Sequence, residues 1–403
     1  MEGQGIPQDP AQLTDRTFLE LGLSEDVVRR LRALKFIAPT RIQTEVIPAA
    51  LAGVDIVGLA ETGSGKTAAF GLPLVEKHAG KGQLKGLILC PTREIALQTE
   101  TFLGGFRESA GLRAVCLIGG VKIGPQIDRL KKRPDVVVAT PGRLLDHLER
   151  RTVSLKNLQS LVMDEADHML DLGFLPQIQA VLKAVPRERQ TLMFSATLPA
   201  AIERLAQRFM KDPKMVDLRP EGAAGGITHE LYMVDAKDKK RCLLALAKEE
   251  KGSVLVFIRR KMDADWACRQ LELEGHPVVR IHSGRSQSQR VAALQGFRRG
   301  EHKVLVATDI AARGLDIPRI GHIVNFDTPQ TVEDYIHRAG RTARGSAKGV
   351  VSTIATWQDK AMLREIEAAL GQELPRCVAA GVEPYQELNL GRGGRNRRRR
   401  RML

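Results

Sequence analysis

The sequence predicts an α/β protein of two consecutive domains, each a parallel sheet covered by helices. Its 403 residues exceed what one hydrophobic core usually organises, and 43% of them are apolar, which is ample for two compact domains. Short β-rich apolar runs alternate with segments of helical periodicity, as units of a parallel sheet require. A glycine- and alanine-rich stretch at 219–227 separates two such blocks and is the predicted linker.

In the first block, each predicted strand ends directly in a polar cluster. The predicted strands are Ile56–Leu59, Leu87–Cys90, Val136–Ala139, Leu161–Met163 and Thr191–Phe194, separated by helical patterns such as Ala68–His78 and Gly142–Arg151. Ligands of open parallel sheets bind beyond the carboxyl ends of the strands, which is where these polar clusters fall. The sequence therefore predicts a binding site along this edge of the first sheet.

The second block repeats the alternation without a glycine-rich phosphate loop. Its predicted strands are Val254–Ile258, Val278–Ile281, Val304–Ala307, Ile323–Phe326 and Val350–Ile354. We predict an N-terminal extension at 1–14, domains at 15–218 and 228–374, and a basic tail at 375–403. Within that tail, Gly391–Leu403 is arginine-rich and of low complexity, which is typical of disordered segments.

The net charge of +15 indicates a polyanionic partner. The seven arginines of Gly391–Leu403 account for part of it and leave +8 on the preceding residues, so the body is basic too. Nucleic acid is favoured over a membrane because no basic amphipathic helix with an aromatic face is evident. Aromatic residues make up only 4% of the chain, which favours contacts to sugar and phosphate over base stacking.

The sequence carries no sign of membrane insertion or of an oxidising compartment. No apolar run approaches the roughly 20 residues that span a bilayer, and Met1–Pro10 lacks the apolar core of a signal peptide. The five cysteines are scattered without metal-ligand spacing, so we expect reduced thiols. We expect a cytoplasmic protein without a membrane partner, and a monomer.

Two motifs supply the two halves of a magnesium–nucleotide site. The phosphate loop, Ala60–Thr67, reads AETGSGKT: its glycines free backbone N–H groups for phosphates, its lysine reaches the outer phosphates and its threonine ligates Mg²⁺. The DEAD segment, Asp164–Asp167, follows a predicted strand and supplies carboxylates to hold and use the metal. Hydrolysis of a phosphoanhydride needs charge neutralisation and an oriented water, and these groups provide both.

A basic motif in the second domain complements this site. The segment 337–344 reads HRAGRTAR and contains Arg338, Arg341 and Arg344 at three-residue spacing, which on a helix puts them on one face. A solvated helix face is the alternative interpretation. Because the second domain has no phosphate loop of its own, we predict that these arginines reach the nucleotide of the first domain and that ATP draws the domains together.

With these motifs in order, residues 17–372 resemble the DEAD-box RNA helicases, of a bacterial type with a short basic tail. The resemblance also covers Phe36 with Pro39–Gln43, PTRE at 91–94, Gly119 with Gly120, TPGR at 140–143, SAT at 195–197, QxxR at 287–290 and TDIAARGLD at 308–316. It implies two tandem RecA-like domains, ATP and Mg²⁺ as ligands, and single-stranded or partly duplex RNA bound without regard to sequence. The departures at Arg41, Ala60 and Ile95 remove no catalytic group.

The resemblance also implies roles for individual residues of the nucleotide site. Lys66, Glu165, Arg341 and Arg344 are the implied catalytic residues, with Glu165 orienting or deprotonating the attacking water and the arginines acting as fingers across the cleft. Phe36 and Gln43 are assigned to adenine, Thr62, Gly63, Ser64, Gly65, Lys66 and Thr67 to the phosphates, and Asp316 to the ribose. Thr67 and Asp164 are assigned to Mg²⁺, Asp164 through water.

Two further sets of residues follow from the same resemblance. Asp167, Ser195 and Thr197 are implied to couple the nucleotide site to the domain interface. The implied RNA contacts are Pro91, Arg93, Gly119, Gly120, Thr140, Arg143, Arg259, Gly284 and Thr308, which are mostly small or basic and therefore suit close approach to phosphates and 2′-hydroxyls. His282 and His337 lie beside these motifs and are given no role in proton transfer.

The predicted function is that of an ATP-dependent RNA helicase, which binds RNA across both domains and separates strands locally. An ATP-gated RNA clamp or RNA–protein remodelling factor with little unwinding is the alternative, because the same residues serve both. A DNA helicase is a weaker third possibility. The arginine-rich tail is either an electrostatic tether for RNA or a solubilising end, and the sequence does not indicate which RNA is bound.

Overall fold

The computed structural model describes residues 13–60, 63–219, 226–250, 252–312, 320–342, 349–383 and 385. They form a seven-stranded sheet in the first half of the chain, here domain 1, and a six-stranded sheet in the second half, here domain 2. Every pairing between neighbouring strands within the two sheets is parallel. The predicted α/β fold class, with two tandem domains that each contain a parallel sheet, is confirmed.

Domain 1 has the strand order β3-β4-β2-β5-β6-β1-β7. Its strands are β1 Ile56–Leu59, β2 Gly86–Leu89, β3 Ala114–Leu117, β4 Val136–Ala139, β5 Ser160–Met163, β6 Gln190–Ser195 and β7 Lys214–Asp217. Its helices are α1 Glu25–Ala33, α2 Arg41–Leu51, α3 Lys66–His78, α4 Arg93–Gly104, α5 Arg107–Ala110, α6 Ile123–Leu130, α7 Pro141–Glu149, α8 Ala166–Asp171, α9 Leu175–Ala184 and α10 Ala200–Phe209.

Domain 2 has the strand order β10-β11-β9-β12-β13-β8. Its strands are β8 Ile227–Met233, β9 Val254–Phe257, β10 Val278–Ile281, β11 Val304–Ala307, β12 His322–Asn325 and β13 Gly349–Ala355. Its helices are α11 Lys239–Glu249, α12 Lys261–Leu273, α13 Gln287–Arg298, α14 Asp309–Ala312, α15 Val332–Ala339 and α16 Lys360–Leu370, the last preceded by a 3₁₀ turn at Trp357–Asp359.

The central strands are buried on both faces, which explains why they read as continuous apolar runs. Along β1, Ile56 packs into the apolar cluster on one face of the sheet and Val57 into the cluster on the other. Val136 and Val137 of β4 alternate in the same way, because successive strand residues point to opposite faces. Each aliphatic side chain buried in this way stabilises the fold by about 1.5–3 kcal/mol, so the sheet is a rigid support for the loops at its carboxyl edge.

Three strands were not predicted from the sequence, and all three lie at sheet edges. β3 and β7 flank the first sheet and β8 flanks the second. In β7 only Val216 is buried, and in β8 exposed and buried residues alternate irregularly. β7 and β8 lack the continuous apolar run that identified the central strands, and only their pairing with a neighbour shows that they are strands. β3 is a short buried apolar run that was not predicted.

The chain after residue 374 differs from the prediction, which began the basic tail at 375. The amide of Leu231 donates to the carbonyl of Pro375 and the amide of Cys377 donates to the carbonyl of Leu231, both at 2.8 Å. Ala379 and Val382 are buried in the core of domain 2. These apolar side chains hold the segment against β8, so it is part of the domain. Residues 220–225 of the linker predicted at 219–227 and the tail at Gly391–Leu403 lie outside the described residues.

The part of the chain that the structure describes contains no helix long and apolar enough to cross a membrane. The domain boundaries themselves stay predictions: β7 ends at Asp217 and β8 begins at Ile227, on either side of the predicted linker.

Candidate functional site

The carboxyl ends of three adjacent strands in domain 1 bring the phosphate loop, the DEAD segment and the SAT motif together. β5, β6 and β1 are neighbours in the sheet. β5 is followed at once by Asp164, β6 ends at Ser195, and β1 leads into the phosphate loop and α3. The predicted position of the site, at the carboxyl edge of the parallel sheet, agrees with this arrangement.

Gly65 is held in a conformation that no other residue adopts easily. Its φ is +94°, and a Cβ at this position would lie 2.5 Å from Nε2 of Gln43 and 2.8 Å from Oγ1 of Thr40. Thr40 Oγ1 donates to the carbonyl of Ser64 at 2.8 Å, and Gln43 Nε2 donates to the carbonyl of Gly65 at 3.1 Å. The start of α2 therefore positions the phosphate loop, and glycine is needed for the two to approach so closely.

Gln43 and Phe36, the residues assigned to adenine, are both largely buried. Gln43 Oε1 accepts the backbone N–H of Thr40 at 3.0 Å, which completes a capping box at the start of α2. The ring of Phe36 packs edge-to-face against Phe18 and Phe102, with centroids 6.4 and 6.1 Å away. These contacts fix the adenine-reading element on the domain, while its contact with adenine stays a prediction.

Lys66 is 6% exposed and its ammonium group donates to the carbonyl of Ala60 at 2.7 Å. This bond places the ammonium group over the phosphate loop. It joins the first residue of α3 to the residue that follows β1. Thr67 follows on α3 and is partly buried, whereas Thr62 lies outside the described residues. The structure thus gathers Gly63 to Thr67 into one compact turn at the start of a helix.

Asp164 is a buried carboxylate whose charged form a bound cation would stabilise. It is 4% exposed, and its Oδ1 atom is buried without a hydrogen-bond partner among the residues described. Burial, followed by the charge of Glu165, raises the pKa of Asp164 to about 7. A bound cation would offset both effects, since an unpaired buried charge is costly.

The donor set at this position fits magnesium. The described part of the chain holds no cluster of three or more histidine, cysteine, aspartate or glutamate side chains arranged around a metal position. Mg²⁺ does not need one, because it is usually bound by one or two carboxylates together with waters and substrate phosphates. The buried Oγ of Ser64, in the neighbouring loop, also lacks a partner within the described ranges.

Glu165 stays ionised despite its burial. Burial raises its pKa, but the hydrogen bond from His168 and the charges of His168, Lys66 and Arg341 hold the pKa below its ordinary value. Nδ1 of His168 lies 3.2 Å from Oε2 of Glu165. The backbone of Glu165 is left-handed, with φ +50° and ψ +57°, a strained conformation for a residue with a side chain. The structure therefore keeps a carboxylate at the position assigned to the attacking water.

Asp167 connects the DEAD segment to the SAT motif and to domain 2. Its Oδ2 accepts the N–H and the hydroxyl of Thr197 at 2.9 and 3.0 Å, while its own N–H donates to Ser195 Oγ at 3.3 Å. Nε2 of His337, from α15 of domain 2, lies 3.6 Å from the same Oδ2. Burial raises the pKa of Asp167, yet His337 and Lys66 hold it well below its usual range. The contact with His337 was not foreseen from the sequence.

Arg338 and Arg341 of the HRAGRTAR segment do not share a helix face, which corrects the prediction from their spacing. α15 ends at Ala339, so Arg341 lies beyond the helix. Arg338 is 3% exposed and its guanidinium donates to both carboxylate oxygens of Asp309 at 2.6 and 2.7 Å and to Asn325 Oδ1 at 2.9 Å. Arg338 therefore links α15 to α14 and β12 within domain 2. Arg341 is 6% exposed and close enough to Glu165 to lower its pKa. Arg344 and Asp316 lie outside the described residues.

The RNA-assigned residues of domain 1 converge around the loop after β3. A Cβ on Gly120, where φ is +73°, would lie 1.9 Å from the guanidinium of Arg93. The guanidinium of Arg143 donates twice to the carbonyl of Val121, at 3.1 and 3.2 Å. Pro91 and Thr140 precede the helices that carry these two arginines. The ends of β2, β3 and β4 thus form one surface with two guanidinium groups and a glycine backbone.

The RNA-assigned residues of domain 2 follow three adjacent strands, β9, β11 and β10. Arg259 is anchored by its N–H to Asp327 Oδ2 at 2.8 Å and by its guanidinium to the carbonyl of Thr328 at 3.1 Å. The amide of Gly284 donates to Nδ1 of His282, and that of Thr308 to the carbonyl of Ile281, both at 3.2 Å. These contacts fix the backbone at the carboxyl edge of the second sheet.

An ion pair joins the two RNA-assigned surfaces. Arg290 of α13 in domain 2 lies 3.0 Å from Oε1 of Glu94 at the start of α4 in domain 1, and both side chains are largely buried. Both residues belong to motifs named above, PTRE and QxxR, but the sequence assigned them no role. Their opposite charges were the signal, and it could not be interpreted without knowing that the two motifs face each other.

The fold and the site define a nucleoside-triphosphate-binding protein. Its phosphate loop lies in domain 1, and Arg341, the arginine near Glu165, lies in domain 2. A DEAD/DEAH box helicase family model matches residues 40–205, and a helicase conserved C-terminal domain model matches residues 238–346. The DEAD-box ATP-dependent RNA helicase CshA of Bacillus subtilis is 41% identical over 363 residues, which cover 89% of this chain and 74% of CshA. CshA of Geobacillus kaustophilus is 40% identical over 363 residues, 89% and 78% of the respective chains.

Solved structures show the same relationship. Dbp5 of S. cerevisiae bound to RNA and ADP BeF3 superposes with a TM-score of 0.80 at 29% identity, covering 90% of this chain and 95% of Dbp5. A DEAD box protein from the hyperthermophile Methanococcus jannaschii has 34% identity and a TM-score of 0.54, covering 90% and 99%. The chain belongs to the DEAD-box ATP-dependent RNA helicases.

Proposed function

We propose that this protein hydrolyses ATP between its two domains and uses the closure of the domains on RNA to separate strands locally. The observation that carries the proposal is the meeting of the DEAD segment with domain 2. The charge of Arg341 helps to lower the pKa of Glu165, and Oδ2 of Asp167 lies 3.6 Å from Nε2 of His337. ATP and RNA as ligands are supported by the membership of the family and by the RNA and ADP BeF3 bound to Dbp5.

The phosphate loop binds the triphosphate. Its backbone N–H groups and the start of α3 face the phosphates, and Lys66 exchanges its bond to the carbonyl of Ala60 for the outer phosphates. Thr67 and, through water, Asp164 would hold Mg²⁺, whose charge would neutralise the phosphate oxygens. Burial disfavours the deprotonated form of Asp164 in the absence of a cation. A bound cation would be the partner of this carboxylate and would stabilise its charge.

Glu165 orients the attacking water and accepts its proton. It is ionised because His168 and Lys66 lower its pKa, as a general base requires. Arg341 stabilises the charge on the transferred phosphoryl group, a contribution of about 10³–10⁵ in rate for arginine fingers. Since Arg341 belongs to domain 2, hydrolysis depends on domain closure.

RNA binding and hydrolysis are coupled through the domain interface. Arg93 and Arg143 of domain 1 and Arg259 of domain 2 bind phosphates on one continuous surface, and the Glu94–Arg290 ion pair joins its halves. Contacts of this kind carry no base code, so binding is independent of sequence. A single chain holds both halves of the site, which favours a monomer as the active unit.

Strand displacement tests the proposal. The purified chain is given a partly duplex RNA with ATP or with a non-hydrolysable analogue, and ATP turnover and release of the labelled strand are measured together. We expect RNA to stimulate turnover, ATP to drive displacement, and Lys66→Ala to abolish both. Turnover without displacement favours the ATP-gated clamp, and equal stimulation by matched DNA contradicts RNA as the specific partner.

A further inference from the structure

A cationic cleft lies on domain 1 away from the nucleotide. It has a volume of about 370 Å³ and lies between α4, β3 and the turn that follows α6. Its charged lining consists of one carboxylate and four cations, namely Glu100, Arg107, Arg113, Arg129 and Lys132. No residue of the motifs discussed above lines it, so this cleft is not part of the site already described.

The only carboxylate of the lining is already neutralised. Glu100 Oε1 accepts the backbone N–H of Cys116 at 3.1 Å, which caps the edge of β3, and it forms an ion pair with Arg129. Arg113 donates to the carbonyl of Lys132 at 3.0 Å. The side chains of Arg107 and Lys132 are exposed and have no acidic partner in the described part of the chain. The cleft therefore keeps a net positive charge.

The elements that form the cleft also carry the RNA-assigned residues. α4 begins at Arg93 and ends at Gly104, which lines the cleft, so these two residues lie about 16 Å apart along the helix. β3 begins at Ala114 in the cleft and ends just before Gly119 and Gly120. A strand bound at the loop after β3 can thus continue down the same side of the domain and reach the cleft.

The turn after α6 extends the positive surface. Lys131, Lys132 and Arg133 precede Pro134, which lines both the cationic cleft and a second cleft of about 440 Å³. Arg133 lines the second cleft with φ +51°, a left-handed conformation, and its side chain is exposed. Three consecutive exposed cations therefore project between two clefts on the edge of the sheet.

We propose that the cationic cleft binds the phosphates of an RNA strand that extends beyond the RNA-assigned surface of domain 1. The inference rests on the proposed function, since it takes RNA as the ligand of the neighbouring surface. The residues that line the cleft include no aromatic ring, so it binds the backbone and stacks no base. The cleft lengthens the RNA footprint without adding sequence preference.

The test compares two oligouridylates in the presence of ATP and Mg²⁺. The shorter is the minimal length that saturates ATP turnover, and the longer is extended with single strand on its 5′ or 3′ side. The cleft variant is Arg107→Gln with Lys132→Gln. The matched control is Arg204→Gln with Lys211→Gln, two exposed cations in and after α10, beside β7 at the opposite edge of the sheet.

The cleft variant should bind the extended RNA about 25-fold more weakly at 0.1 M salt, with a salt slope smaller by about 1.4, since each single-strand phosphate contact contributes about 0.7. Its affinity for the short RNA, and the turnover that this RNA stimulates, should match the control variant. Equal behaviour of both variants on the extended RNA overturns the proposal. A loss of affinity for the short RNA also overturns it. The proposal is overturned as well if polyglutamate binds the cleft in preference to RNA and displaces it. Failure of the wild type to respond to any RNA contradicts the proposed function instead.

Discussion

Two adjacent carboxylates of the DEAD segment are shifted in opposite directions within one site. Burial and the neighbouring charge of Glu165 raise the pKa of Asp164 to about 7. Glu165 is also mostly buried, but His168, Lys66 and Arg341 lower its pKa. Neighbouring groups whose environments shift their pKa values apart suit different roles, here the proposed metal ligand and the proposed base. The adjacent positions in sequence do not reveal this difference.

Replacement of Asp164 by asparagine should change how stability depends on pH. Asp164 titrates near 3.8 when unfolded and near 7 when folded, so between these values the folded state binds more protons. The free energy of unfolding of the wild type therefore falls as pH rises through this window and stays low above it. Asp164→Asn lacks this loss, so its Tm relative to wild type should rise by a few degrees from pH 5 to pH 8 without nucleotide or Mg²⁺. Thermal unfolding followed by circular dichroism measures it, and a constant difference contradicts the raised pKa.

Arg341 should matter for hydrolysis and little for nucleotide binding. The residues assigned to adenine, the phosphates and Mg²⁺ belong to domain 1, and Arg341 approaches Glu165 from domain 2. Arg341→Ala should slow RNA-stimulated turnover by about 10³-fold or more while ATP affinity changes little. Arg269→Ala, an exposed arginine on α12, is the control. Single-turnover hydrolysis and fluorescent-nucleotide titration separate the two effects, and an unchanged hydrolysis rate refutes the finger role.

The element that positions the phosphate loop is the first turn of α2. Thr40 and Gln43 bond to the carbonyls of Ser64 and Gly65 and cap their own helix at the same time. The loop and α2 are separated in sequence by β1, so the phosphate-binding conformation depends on how the helix packs against the sheet. A glycine-rich loop is therefore only half of the element that binds phosphates here.

Gly65→Ala tests this packing. The added methyl group would lie 2.5 Å from Gln43 Nε2, in a residue whose φ is +94°. We expect a loss of about 1–3 kcal/mol in the free energy of unfolding and a strong loss of ATP affinity. Gly104→Ala, where a Cβ meets nothing within 4 Å, is the matched control and should be neutral or slightly stabilising. Urea unfolding and nucleotide titration give both values, and equal effects of the two substitutions contradict this role of α2.

At the scale of the whole molecule, two pairs of side chains face each other across the contact between the domains. Glu94 meets Arg290 on the RNA side, and Asp167 meets His337 on the nucleotide side. Both pairs combine a residue of domain 1 with one of domain 2. These contacts link the surface assigned to RNA and the site assigned to the nucleotide, and they exist only when the domains are together.

The Glu94–Arg290 pair should contribute to closure of the two domains, and swapping the two charges should preserve that contribution. Arg290→Glu places two acidic groups together in a largely buried position, and we expect RNA-stimulated turnover to fall at least tenfold because a broken buried pair leaves an uncompensated charge. The double variant Glu94→Arg with Arg290→Glu restores the attraction and should recover part of the activity. Turnover without RNA should be nearly the same in all three proteins. A double variant no better than the single one contradicts the pairing.

The sequence predicted the central strands closely because they are buried on both faces and read as apolar runs. Val136–Ala139 and Val304–Ala307 have the predicted bounds, and so does the edge strand Val278–Ile281. The edge strands β7 and β8 were missed because exposed residues interrupt the apolar run, whereas β3 is a short buried run that was not predicted. The regular spacing of Arg338 and Arg341 predicted a common helix face, but α15 ends between them and Arg338 pairs with Asp309 inside domain 2.

The order of short motifs along the chain was enough to identify the chemistry, because a phosphate loop and an acidic segment work through residues that are adjacent in sequence. Which residues meet across the domains was set by tertiary structure alone. Asp167 and His337, or Glu94 and Arg290, lie far apart in the chain, and nothing in their local sequence specifies the other. The packing of the two domains brings them within ion-pair distance, and it places Arg341 close enough to Glu165 to help lower the pKa of that carboxylate.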